Sequence, residues 1–315
     1  MGRCRRQRGR PVSGVFLLNK PTGISSNDAL QRVKYLMFAD KAGHTGSLDP
    51  LATGVLPICL GEATKFSHFL LDSDKGYRAT FRFGIQTETG DSDGDIVAQQ
   101  SAAKLNKKAV EKAIEPFRGD IQQVPSMYSA LKHNGEPLYK LARQGITVER
   151  EARPCTIFQY DLLAFRSGDV AEADVFVHCT KGTYIRTLAE DLGEALGVGA
   201  HVSMLHRTQA GPFFEDDAIE LDELERLREG KRGEDMDYLL LPTEAAVADL
   251  PEFDLPEEVT FYFRKGQPVI CPQAYRDGEE GDIVRIFQEQ GPFLGVAEIL
   301  DDGRVAPRRL IVGEQ

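Results

Sequence analysis

The chain alternates short apolar runs with polar, turn-rich stretches, and the period of its apolar positions changes repeatedly. "GVFLLN" (14–19) predicts a short buried strand. "KPTGISS" then turns the chain, and Ser25 or Ser26 can cap a helix through about Ala39 with Leu30, Val33, Leu36 and Met37 on one face. "GVLPICLG" (54–61) predicts a second apolar strand, and "EATKFSHFLL" a helical turn or two. "KGYRATFRFGIQ" alternates Tyr77, Ala79, Phe81 and Phe83 in strand period. "KKAVEKAIEPF" is helical up to Pro116. A polar, basic excursion follows, from about Gln123 to Ala152. "CTIFQYDLLAF" and "ADVFVHC" pair as strands, "TYIRTLAEDLGEAL" is an amphipathic helix with Thr183 as its cap, and "AHVSMLHRTQAGPF" is a strand.

Further on, "IELDELERLRE" predicts one helix, and prolines mark a linker near Leu250 to Pro256. Short strands come after it in "TFYFRKGQPVI", "DIVRIF" and "FLGVAEILDDGRVAPRRL", with Asp302-Gly303 as a hairpin turn. The pattern predicts a main body of mixed strands and helices, followed by a small all-β module. The expected division is a basic disordered leader at 1–13, a main domain at 14–249 and the module at 250–315.

Hydrophobic residues make up 41% of the 315 residues and charged ones 28%, enough for a sizeable core. No apolar run approaches the roughly 18 residues of a membrane span. After the basic start only Val15 to Leu18 are apolar, too short a run for a secretory signal. Cys4, Cys59, Cys155, Cys179 and Cys271 are odd in number and scattered, which argues against a disulfide framework or a zinc site and predicts a reducing cytoplasm.

The net charge of -11 argues against a nucleic-acid partner until its distribution is read. Residues 1–213 hold 27 Lys and Arg against 23 Asp and Glu, whereas residues 214–259 hold 4 against 17. The acidity belongs to one segment, so a basic groove can form in the first 213 residues.

Several motifs reduce to bland readings. "DSDGDIVAQQ" (91–100) has its glycine at the wrong position for a calcium loop and Ala102 where the bidentate Glu belongs, so it reads as a solvated turn. "GVGAHV" lacks the third glycine of a dinucleotide fingerprint and precedes a strand. The histidines show no metal spacing.

Asp49 in "GHTGSLDPLATGVL" is different. An Asp before Pro is usually turn chemistry. Here Leu48, Leu51 and Val55 lower the local dielectric, and a carboxylate in such surroundings needs a partner. Arg186, early in a helix, is the best candidate.

Taken together, "LLNKPTGISSNDALQRVK", "GHTGSLDPLATGVLPICLGEATK", "DKGYRATFRFG" and "KGTYIRTLAEDLGEALGVGAHVSMLHRT" resemble the bacterial TruB family of tRNA pseudouridine synthases over essentially the whole chain. The resemblance implies the pseudouridine synthase fold, an α+β catalytic domain on a mixed, largely antiparallel sheet with flanking helices, and a small C-terminal β-barrel (PUA-like) module. It implies conversion of uridine to pseudouridine in the T-loop of tRNA, at position 55 in tRNA numbering. Asp49 matches the catalytic aspartate, Tyr77 the tyrosine that stacks on the target uracil, and Arg186 the arginine paired with the aspartate. Tyr184 and Leu205 match further pocket residues, His44 the residue that helps to open the RNA loop, and Lys20 with Pro21 a motif under the active site. The excursion matches an RNA-gripping insertion.

The reaction is an isomerisation without electron transfer or water activation, so no cofactor or metal is expected. One carboxylate can serve as nucleophile, electrostatic stabiliser or base at the sugar. The partner expected is the tRNA T-stem loop, acted on by a cytoplasmic monomer with no membrane or required protein partner. Two rivals are the catalytic subunit of a guide-RNA pseudouridylation complex and an RNA-binding or RNA-folding protein with a silent pocket. The first usually carries a long basic tail, whereas this chain ends in "LIVGEQ". The Asp49, Tyr77 and Arg186 set argues against the second.

Overall fold

The computed structural model describes residues 9–312. Its main body is a ten-stranded mixed sheet. The strands run Ile219–Glu220, Gly14–Lys20, Thr53–Leu60, Ala200–Ala210, Lys75–Phe83, Ala171–Cys179, Arg153–Arg166 and Gly119–Gln123 across it. Ala42–His44 pairs with Thr53–Leu60, and Phe213–Phe214 with Ala200–Ala210. Most pairings are antiparallel, as the expected α+β class requires. One exception is central: Thr53–Leu60 meets Ala200–Ala210 in parallel through only His206↔Thr53 and Arg207↔Gly54. Gly54, at φ +103°, lets the strands touch there, because a Cβ would lie 2.2 Å from the Arg207 carbonyl oxygen.

Alternation along Lys75–Phe83 places Ala79, Phe81 and Phe83 in the core, under the helices Ser26–Leu36, Lys107–Ile114 and Ile185–Ala195. Ser25 caps the first helix: it accepts from the Asp28 N–H at 3.1 Å while its own N–H donates to Asp28 at 3.3 Å. Such a reciprocal cap stabilises a helix start by about 1 kcal/mol. The helix ends at Leu36, short of the expected Ala39.

The C-terminal module orders its strands Glu252–Leu255, Ile283–Gln288, Phe293–Ile299, Arg304–Leu310 and Val269–Ile270. That path is open, so the module is a half-barrel rather than a closed barrel. "TFYFR" is not a strand but part of the Glu257–Arg264 helix. Its aromatic run carries strand propensity, yet Pro256 starts a helix that buries Phe263. The module packs on the main sheet through a shared apolar cluster, with Phe293 5.5 Å from Phe66 between ring centres.

The expected disordered leader also needs correction. Residues 1–8 lie outside the described residues. Gly9–Ser13 are packed: the Arg10 N–H donates to the Phe38 carbonyl at 2.7 Å, its side chain pairs with Asp237, and Val12 is buried. Among the described residues no helix is long and apolar enough to cross a membrane.

Candidate active site

Asp49 is held by staples to the turn before the first helix and to that helix's first residue. Ser26 accepts from the Leu48 N–H at 2.7 Å and donates to the Leu48 carbonyl at 3.0 Å. The Gly23 N–H donates to the Pro50 carbonyl at 2.8 Å, and Thr22 Oγ1 to the Leu51 carbonyl at 3.1 Å. Lys20, fully buried, donates to the carbonyls of Pro21 and Ile24 at 2.8 Å and to that of Pro50 at 3.4 Å. Lys20 therefore sits beneath the loop, holding its backbone, and its charge also favours the ionised form of Asp49. Burial pulls its ammonium down to about 8.

The Asp49 carboxylate leaves this loop half-exposed and meets Arg186 Nε at 3.1 Å. Arg186 is buried, and every end of its guanidinium is used. Nη1 donates to the Thr89 carbonyl at 2.9 Å and lies 3.5 Å from Asp91, while Nη2 donates to the Tyr128 carbonyl at 2.9 Å. Crowding by protein raises the Asp49 pKa, Arg186 opposes that, and Asp91 adds to it. Asp91 is thus no solvated turn residue. It is 4% exposed and accepts from Thr89 Oγ1 at 2.5 Å. The rest of the stretch is largely exposed, as expected, and Asp91 alone departs from that reading, because its burial is decided by pairing with Arg186.

The Arg186 helix is capped by Tyr184, not by Thr183, whose hydroxyl donates back to the Thr180 carbonyl at 2.9 Å. Gln123 brackets that cap, accepting from the Tyr184 N–H at 3.0 Å and donating to the Tyr184 carbonyl at 3.3 Å. The insertion thereby fixes the helix start that presents Arg186.

Asp49, Tyr77, Tyr184, Arg186 and Leu205 line one cavity of about 310 Å³, a size suited to a small ligand. Its remaining wall includes Leu71, Lys75, Tyr128, Ser129 and Arg207. A second cavity of about 670 Å³ shares Asp49, Tyr128, Ser129 and Arg186 and takes in His44. Asp49 stands on the rim between the two. His44 is therefore beside the site but outside the inner cavity.

Burial raises the Tyr77 phenol above its ordinary value, with the Arg207 guanidinium beside it as a partial offset. The phenol stays protonated near neutral pH and is a poor base there. Burial and Arg207 lower the His44 pKa, which leaves its imidazole neutral at pH 7. Arg207 itself is 1% exposed and donates to the carbonyls of Val55 at 2.7 Å and Gly46 at 3.2 Å. Lys75 is tied to the carbonyls of Leu70, Leu71 and Ser73.

Arg207, Lys75, Asp91, Tyr128 and Ser129 were not found in the sequence. Only Lys75 carried a signal, as a charge beginning an apolar strand. Among the described residues no group of three or more His, Cys, Asp or Glu side chains is placed to hold a metal ion.

A structure described as "Crystal Structure of a Cbf5-Nop10-Gar1 Complex" aligns with a TM-score of 0.70 at 26% identity, covering 96% of this chain and 84% of that one. Another, described as an H/ACA RNP bound to a substrate RNA containing 2'-deoxyuridine, has the same fold at a TM-score of 0.70 and 23% identity, covering 95% of this chain and 85% of that one. Residues 34–185 match the TruB family pseudouridylate synthase N-terminal domain, 186–248 the tRNA pseudouridylate synthase B C-terminal domain, and 251–311 the C-terminal model of pseudouridine synthase II TruB. A protein of Saccharophagus degradans named tRNA pseudouridine synthase B is 61% identical over 98% of both chains. One of the same name from Pseudomonas aeruginosa is 52% identical over 96% of this chain and 97% of its own. The chain belongs to the TruB family.

Proposed function

We propose that this enzyme isomerises uridine to pseudouridine in the T-loop of tRNA, at position 55. The observation that carries the reading is the meeting of Asp49, Arg186, Tyr77 and Leu205 at one small cavity. In the reaction the N1–C1′ bond breaks, the uracil turns, and a C5–C1′ bond forms. C5 gives up its proton and N1 gains one, so nothing is oxidised or reduced.

Asp49 is the group that meets C1′, and Arg186 keeps it ionised against its crowded surroundings. The target base must leave the loop first, and stacking on an aromatic face returns roughly 1–3 kcal/mol. Tyr77 supplies that face, Tyr184 and Leu205 close the pocket around the detached base, and His44 lies outside it, where neighbouring nucleotides pass. Lys20 positions the Asp49 loop. Phosphate contacts fall to the basic side chains of the insertion, Lys132, Lys140, Arg143 and Arg150, and to Arg153 just after it. The outer cavity carries Glu88, Asp91, Asp93 and Asp95 but also Arg143, so a phosphate there would lie against Arg143.

The test is purified protein with an unmodified tRNA transcript tritiated at C5 of its uridines, and no guide RNA. Release of tritium from the T-loop uridine supports the reading. Release only with a guide RNA, or none at all, overturns it.

A further inference from the structure

Ser129 is 3% exposed, and its hydroxyl has no hydrogen-bond partner in the protein. It nevertheless lines both cavities, between Tyr128 and Ala130 and beside Asp49 and Arg186. Its position is fixed rather than loose. The preceding carbonyl, of Tyr128, accepts from Arg186 Nη2 at 2.9 Å, and the Tyr128 N–H donates to Ser126 Oγ at 3.1 Å. The Ser129 carbonyl accepts from the Tyr139 N–H at 3.1 Å, and two residues on the Leu131 carbonyl accepts from the Leu138 N–H at 2.7 Å. The arginine that holds Asp49 thus also holds the backbone that carries this hydroxyl.

A buried hydroxyl without a partner is unfavourable, and alanine would occupy the position without that cost. Nothing in the fold uses the oxygen, so the use lies with what enters the cavity. We propose that Ser129 contacts the flipped uracil, its hydroxyl bonding the base on its O2–N3–O4 edge. This rests on the isomerisation reading above.

The chemistry of the turn favours a hydroxyl there. A half-turn of uracil about its N3–C6 axis exchanges N1 with C5 and O2 with O4, and leaves N3–H in place. A hydroxyl donates and accepts, so one fixed serine meets a matching group before and after the turn. The detached base keeps a tether while neither glycosidic bond exists.

The test uses the full chain and T-stem-loop hairpins carrying uridine, 2-thiouridine or 4-thiouridine at the target, in single-turnover C5 tritium release. Ser129→Ala is expected to slow the uridine hairpin about tenfold, with a melting temperature no lower than the wild type's. One thio hairpin is expected to slow the wild type by a similar factor and to slow Ser129→Ala no further, because sulfur accepts poorly from a hydroxyl that the variant lacks. A variant as fast as the wild type on uridine overturns the proposal, as does a thio effect equal in both proteins or a lowered melting temperature. Should the wild type release no tritium from the uridine hairpin while folded, the isomerisation reading fails instead.

Discussion

The main sheet and the C-terminal half-barrel use burial differently. In the main body Lys20, Lys75, Asp91, Arg186, His201 and Arg207 are all buried. In the half-barrel, among the described residues, the buried set is apolar apart from Thr260, with Phe253, Phe263, Val284, Ile286 and Val305 at its centre. Buried charge is a poor way to stabilise a fold, since removal from water commonly cancels what pairing returns. The half-barrel is built as a fold needs. The main body keeps its charges where they hold loops and orient Asp49, and there stability is given up for position.

That contrast is broken most strongly at Arg186. Replacing it by Gln leaves Asp91 buried without its cation and frees Asp49. We expect a stability loss of about 3–5 kcal/mol and a fall in turnover of roughly 10²–10³, read by denaturant unfolding and tritium release. Equal stability with lost turnover would show that the charges cost the fold nothing.

Phe263→Ala is the matching change in the half-barrel, where Phe263 is fully buried. Its expected cost is about 3–5 kcal/mol in that module, with weaker binding of whole tRNA and unchanged turnover of a T-stem-loop hairpin. Lost hairpin turnover by a folded protein would make the module part of the catalytic machinery.

A smaller effect is expected from Lys140→Glu combined with Arg143→Glu in the insertion. Affinity for tRNA falls, and the slope of log affinity against log salt flattens by about two. An unchanged slope in filter binding would place the phosphates elsewhere.

The finest test is the acid limb of the pH–rate profile. Crowding and Asp91 raise the Asp49 pKa, so turnover needing its carboxylate sets in above the ordinary aspartate range. Asp91→Asn removes one of those influences, and the limb moves to lower pH. Glu190, pushed up to about 7 one turn beyond Arg186, titrates nearby and should leave that shift unaffected. The stability sign is fixed as well. A carboxyl with a raised folded pKa favours the fold while protonated, and that contribution is lost as pH rises through the raised value.

Much of this was legible in the sequence where the signal is local. Alternation at Tyr77, Ala79, Phe81 and Phe83 marked a strand, Ser25 and Asp28 marked a helix start, and Asp49 stood out against its apolar neighbours. Arg186 was found by asking which cation could answer that acid. What stayed hidden depends on tertiary contact. Asp91 sits in a stretch whose composition is that of a turn. Arg207 reads as an ordinary strand arginine, yet the close parallel contact at Gly54 encloses it. Ser129 carries no sequence signal, because a serine in a polar insertion is unremarkable until its hydroxyl is found buried. Lys20 was matched to a motif under the active site, but the three carbonyls beneath the Asp49 loop that accept from it could not be read from the sequence.

The central claim is that Asp49 performs the chemistry while binding is carried elsewhere. It is tested most directly by Asp49→Asn, with tRNA affinity and single-turnover tritium release measured on the same preparation. We predict release lowered by at least about 10⁴, the scale seen when a reacting group is removed, and affinity within about tenfold of the wild type. Release near the wild-type rate at intact affinity would contradict it.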